Sequence, residues 1–172
     1  AKGSTWEGGI RVPTIARWTG KIPAGSSNDA VLGTIDLLPT LVSLAGGKVP
    51  DQPIIDGRDA TAQFLGKSTD SPREAHYGFL HHQLQSVRQG PWKLAVTPQN
   101  EAMSRPVKED AQGKQPRLYN LDAEIGEKTD VSAKHPEVVA KLSALADKMN
   151  AEIGGNNPSA RRPAGKVENA KT

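Results

Sequence analysis

The spacing of hydrophobic positions changes along the chain, and each spacing predicts a different element. Ile10, Val12, Ile15, Ala16 and Trp18 are β-compatible and predict a strand over 10–18. Pro13 lies near its entry, where a strand start or sheet edge tolerates it. Residues 19–29 are turn-rich loop. Leu38, Leu41, Val42 and Ala45 then fall at i, i+3, i+4 and i+7, one face of a helix. Asp36 stands where an N-cap belongs, Pro39 occupies the third helical position, and Gly46-Gly47 ends the helix. A short helical piece is expected over 60–65. From His76 to Leu84 the pattern alternates, Tyr77, Phe79 and His81 against Gly78, Leu80 and His82, which predicts a strand. Val87-Arg88 and Trp92–Val96 flank Gln89-Gly90-Pro91, a hairpin signal.

Residues 100–115 are charged and aperiodic and read as surface loop. Residues 117–121 read as a fourth strand. Val138, Leu142, Leu145 and Met149 repeat at i, i+4, i+7 and i+11, a packing stripe on a last helix. Pro136 suits its first position and Glu137 its positive end. Gly154-Gly155 closes it, and residues 156–172 form a polar tail.

Composition narrows the class. The 172 residues suffice for a real core, yet only 35% are hydrophobic and 4% aromatic. Thirteen prolines and seventeen glycines indicate a large loop fraction. The formal charge of +3 comes without a dense Lys/Arg stripe, which argues against nucleic acid as a partner. No apolar run approaches the length of a membrane span, so no membrane partner is expected. Cysteine is absent, which excludes disulfides and thiolate metal sites.

The densest chemistry lies in Ala1-Lys2-Gly3-Ser4-Thr5-Trp6-Glu7-Gly8-Gly9-Ile10-Arg11-Val12-Pro13. Glycines let such a loop bring a cation and backbone N–H groups close to an anion. Glu7 and Arg11 read as an ion pair that fixes the Gly8-Gly9 turn, because a buried charge needs a partner.

Residues 2–13 resemble a signature segment of the formylglycine-dependent sulfatases, the arylsulfatase family of the alkaline-phosphatase-like superfamily. Further resemblances run through Asp36–Leu41, Ile55–Asp59, Val87–Leu94, and Leu118–Asp122 with Gly126-Glu127, so that the likeness covers roughly residues 1–155. It implies an α/β fold: the end of an alkaline-phosphatase-like α/β sandwich over 1–70, then over 71–155 a small antiparallel four-stranded sheet with a packed C-terminal helix. It implies that Lys2 is catalytic, contacting the sulfate, and that Glu-Gly-Gly-x-Arg-x-Pro turns the chain into a core strand. It also implies a formylglycine nucleophile and a Ca²⁺ held by Asp and Asn ligands. Neither is assigned to residues here. No Cys-x-Pro-Ser-Arg or Ser-x-Pro-Ser-Arg occurs, and Asn28-Asp29 has no companion carboxylates. Both are expected upstream of Ala1, in a parent protein of which this chain is a C-terminal fragment. The implied partners are a sulfated small molecule or polysaccharide and the rest of that parent. The implied location is periplasmic or extracellular.

His81 and His82 are further candidates. Neighbours in a strand face opposite ways, so at most one faces a given pocket and they do not form a metal pair. By resemblance this region lines the substrate cleft, which makes both substrate-binding candidates. Arg88 and Trp92 are expected to pack the small sheet, the Arg88 stem over aromatic surface. His76 reads as a loop residue and His135 as a helix cap. Two alternatives stand beside the sulfatase reading: a phosphodiesterase or phosphonate hydrolase of the same superfamily, and a non-catalytic module binding anionic glycans.

Overall fold

The computed structural model describes residues 2–51, 54–100 and 113–155. Most of the 100–115 segment and the whole 156–172 tail lie outside these. Four strands pair antiparallel in sequence order: β1 (His76–Leu80), β2 (Gln83–Gln89), β3 (Trp92–Ala95) and β4 (Arg117–Asn120). Gly90 and Pro91 join β2 to β3 between the paired residues Gln89 and Trp92. Gly90 has φ +56, which glycine adopts without steric cost.

The β1–β2 connection differs from the expectation that the strand runs through both histidines. Leu80 pairs with Gln83, so His81 and His82 form a two-residue turn, exposed, with His81 at φ +53. The reversal has to come this early because Leu84, fully buried, already belongs to the returning strand.

Pairing slips once. Gly78 faces Ser86 and Phe79 faces Leu84, which leaves Gln85 as the extra residue of a β-bulge. The bulge breaks the ordinary alternation of faces, and four consecutive β2 residues, Leu84–Val87, are buried.

Both faces of the sheet are covered. On one, Leu84, Val87, Leu94 and Leu118 pack with Leu142, Leu145 and Ala146 of α4 (Pro136–Ile153), with Val138 and Met149 at the margin. The stripe read from the sequence is this contact. Pro136 is the first helical residue, and Gly154 ends α4 at φ +92. On the other face, Ala95, Tyr119 and Leu121 form a cluster against Trp6. The architecture is mixed α/β, with a four-stranded antiparallel sheet and a packed C-terminal helix.

Two compact units divide the chain: residues through Val12 with Ala75 onward, and Pro13–Glu74. The opening segment therefore belongs with the sheet, whereas the sequence reading grouped it with residues up to 70. It holds one helical turn, α1 (Glu7–Ile10). The strand expected over 10–18 is not formed. Residues 11–18 have no regular structure, and Val12, Ile15 and Trp18 are 70%, 96% and 43% exposed. A strand needs a hydrogen-bonding neighbour, and the described strands pair only among themselves. Pro13 also lacks a donor.

The Pro13–Glu74 unit holds α2 (Leu37–Leu44) and α3 (Thr61–Phe64). Its centre is Asp36, 1% exposed. Asp36 does not cap α2 through its side chain, contrary to the expectation. Its Oδ2 accepts from the Gly33 N–H at 2.7 Å and its Oδ1 from the Arg58 N–H at 2.7 Å, and Arg73 donates to the same Oδ1. The carboxylate is used to tie three separated segments together, which leaves it unavailable to the helix end. Thr40 extends the tie, donating to the Asp36 carbonyl at 2.6 Å and accepting from the Ala60 N–H at 2.9 Å. Gly57 passes so close to the Ile35 carbonyl oxygen that any Cβ would collide with it.

Candidate functional site

The opening segment is locked to the sheet by polar groups. Ser4, Thr5 and Glu7 are at most 5% exposed. Thr5 donates its hydroxyl to Gln85 Oε1 at 3.0 Å and accepts from Gln99 Nε2 at 3.0 Å. The bulge has turned Gln85 to meet it. Gly78 lies below, where a Cβ would collide with Ser86 Oγ and sit 3.4 Å from the Thr5 side chain.

Glu7 is the centre of a charge cluster. Lys93 Nζ donates to Glu7 Oε1 at 3.0 Å and to the Thr5 carbonyl at 2.6 Å, and pairs with Glu127 Oε1 at 2.8 Å. Glu127 Oε2 in turn accepts from the Glu7 N–H at 2.6 Å. Glu7 Oε2 accepts from Arg11 Nε at 2.6 Å and Arg88 Nη1 at 3.1 Å. Burial alone would raise the Glu7 carboxyl, but Lys93, Arg11 and Arg88 outweigh it and hold it below its ordinary value. The Glu7–Arg11 brace read from the sequence is present, as one contact of five charged groups.

Arg88 departs from its expected place over aromatic surface, because its guanidinium is drawn to Glu7 and its Nε to the Gly90 carbonyl at 3.1 Å. Trp92 packs against the His135 ring, centroids 4.7 Å apart. His135 precedes α4 but makes no side-chain cap bond. His76 opens β1.

Lys2 is exposed at the head of the clamped segment, followed by Gly3 at φ +84. Two residues, Gly3 and Ser4, separate it from Thr5, at most about 11 Å of chain. His81 and His82 lie at the tip of the β1–β2 hairpin. Gly78 and Gln85, the hairpin residues beside Thr5, are each three positions from that tip. The opening segment and the hairpin are thus brought together within one unit.

Lys93, Glu127, Gln85, Gln99 and Thr5 escaped the sequence reading as site-forming residues. A lysine alternating with Trp92 and Leu94 looks like the solvent side of a strand. Only a covered second face makes it a buried cation. Arg88 and Lys93 did fall inside the stretch that carried the family resemblance.

Among the described residues no three His, Asp or Glu side chains gather as metal ligands, and cysteine is absent from the chain. The described residues therefore do not form a calcium cage.

No family model matches the chain. Dog (Canis lupus familiaris) arylsulfatase G is 31% identical over 172 residues, covering 92% of this chain and 31% of the relative. The N-acetylgalactosamine-6-O-sulfatase of Bacteroides thetaiotaomicron is 31% identical over 149 residues, covering 86% of this chain and 29% of the relative. Among solved structures, the PsFucS1 sulfatase from Pseudoalteromonas sp. shares the fold with a TM-score of 0.80 at 24% identity, over 92% of this chain and 33% of its own. The chain spans about a third of the length of these relatives. Through most of its own length the chain is similar in sequence to sulfatases, and it shares their fold.

Proposed function

We propose that this chain is the C-terminal portion of a sulfate-ester hydrolase and supplies Lys2 and part of the substrate cleft. The observation that carries the reading is the placement of Lys2: an exposed cation at the head of a segment whose next residues are buried and fixed by a charge cluster. Hydrolysis of a sulfate ester puts negative charge on the non-bridging oxygens and on the leaving oxygen. A lysine ammonium is a compact cation with three donors, suited to bridging two such oxygens. A fixed backbone behind it means that little reorganisation is needed during reaction.

The substrate class is a sulfated carbohydrate, in keeping with the N-acetylgalactosamine-6-O-sulfatase relative. His81 and His82 belong to the cleft wall, their hairpin tip able to reach sugar groups beyond the sulfate. The formylglycine and Ca²⁺ usual for sulfatases belong to residues outside this chain. No helix among the described residues is long and apolar enough to cross a membrane. A periplasmic or extracellular setting suits a polysaccharide substrate.

The test compares a chromogenic sulfate monoester with the matching phosphodiester, using the full-length parent and the purified chain. The parent is expected to prefer the sulfate ester, and the chain alone to turn over neither, with or without Ca²⁺. A parent that prefers the phosphodiester, or turnover by the chain alone, would overturn the reading.

A further inference from the structure

We infer that Lys93 is a positioning residue for Lys2, acting through the backbone of the opening segment. The inference rests on the reading of Lys2 as the sulfate contact. Lys93 is 1% exposed, on β3, and more than eighty residues from the segment that it holds. Its ammonium donates to the Thr5 carbonyl and to Glu7 Oε1, and its charge lies 2.8 Å from Glu127 Oε1, so that three oxygens surround it. Two of the three belong to the opening segment. The third belongs to Glu127, whose other oxygen accepts from the Glu7 N–H. The ammonium and that carboxylate thus grip the residue-5-to-7 backbone at an acceptor and a donor.

The rest of the geometry agrees with positioning. Arg11 and Arg88 occupy the second Glu7 oxygen, so the carboxylate has no freedom to follow Lys2 outward. The Thr5 side chain is held by Gln85 and Gln99 on the same side of the sheet. Lys2 is left with one glycine, Gly3, between it and the buried residues Ser4 and Thr5. A shift at the Thr5 carbonyl therefore has little chain in which to be absorbed before it reaches Lys2, and small misplacements of a reacting group cost large factors in rate. A lysine at this depth is costly for stability alone, since well-packed apolar residues often do as well as a buried ion pair.

The test uses the full-length parent with Lys93→Met, with the charge-balanced pair Lys93→Met/Glu127→Gln in case the single variant does not fold, and each again with Lys2→Ala. Hydrogen exchange at the Glu7 amide is the first readout. It is expected to accelerate at least about tenfold, with the Leu142–Ala146 amides of α4 unchanged. Exchange that rises equally in both places, or in neither, overturns the inference. Turnover of a sulfate ester is the second. The Lys93 substitution is expected to lower kcat in the Lys2 protein and to have little further effect once Lys2 is alanine, because groups that act as a unit are non-additive. The same fold-loss in both backgrounds would mean a structural role only and would overturn the proposal. A parent with no sulfate-ester turnover would instead contradict the sulfatase reading, and the exchange result would still decide the clamp.

Discussion

In the unit built on the sheet, Leu84, Val87, Leu94, Leu118 and Leu142 are at most 1% exposed, and the charged cluster is buried with them. In the Pro13–Glu74 unit, Leu37, Leu38 and Leu41 of α2 are 43%, 58% and 61% exposed, while Asp36 and Thr40 of the same stretch are at 1%. The first unit is held by a two-sided apolar core, with a polar clamp on one face. The second is held by a polar tie at Asp36 and a close approach at Gly57, with Leu37, Leu38 and Leu41 outward. Regular secondary structure is thus no guide to which face of an element is buried. An amphipathic stripe marks a face that needs cover, and in α2 the cover is not supplied by the described residues of this chain.

The sharpest way to break the second unit is at its tie. Asp36→Asn leaves the Arg73 guanidinium, nine-tenths buried, without its counter-charge and is expected to cost about 3–5 kcal/mol, measured by urea unfolding. In the sheet unit the matching lesion is apolar: Leu118→Ala is expected to cost about 2–5 kcal/mol. Leu41→Ala, on the exposed face of α2, is expected to cost under about 0.5 kcal/mol in the same measurement. A large loss at Leu41 would contradict the outward placement of that face.

Acid acts on both units in the same direction. The Glu7 and Asp36 carboxyls are both held below their ordinary values of 4.5 and 3.8. Burial opposes this in each case. Lys93, Arg11 and Arg88 outweigh it at Glu7, as Arg73 and the Arg58 and Gly33 amides do at Asp36. Their contribution to stability is complete above the ordinary values and is lost as pH falls through the folded ones, because the unfolded chain takes up protons first. Unfolding midpoints should be flat near neutrality and decline below the ordinary carboxylate range. Lys93→Met should shrink the decline due to Glu7. At the alkaline end the sheet unit carries a second signal: burial pushes the Tyr119 hydroxyl up to about 12 from 10.0. Stability from Tyr119 is therefore complete below its ordinary value and is lost as pH rises towards about 12, which near-ultraviolet absorbance of a Tyr77→Phe variant would report.

Much of the sheet unit was legible. The Gly90-Pro91 hairpin, β4 and the α4 stripe follow from turn chemistry and periodicity, which are local. The Glu7–Arg11 pair was legible because the residues are four apart in sequence. The rest of the cluster was not, because Lys93 and Glu127 lie 86 and 120 positions from Glu7 and meet it only through the register of the sheet. The histidine turn was misplaced for a related reason. Alternation says that a strand exists but not where it reverses, and the reversal at His81 depends on the Leu80–Gln83 pairing and the bulge at Gln85. The strand expected over 10–18 had the right residues and no neighbour among the described strands.

The central claim is that this chain contributes the sulfate-contacting cation. The most direct measurement is kcat/KM of the full-length parent on a sulfate ester after Lys2→Ala and, separately, His82→Ala. The account expects Lys2→Ala to lower it by about 10²–10³, in the range of a lost oxyanion contact. His82→Ala should lower it far less, through KM. Equal losses at the two positions, or turnover that is indifferent to Lys2, would contradict it.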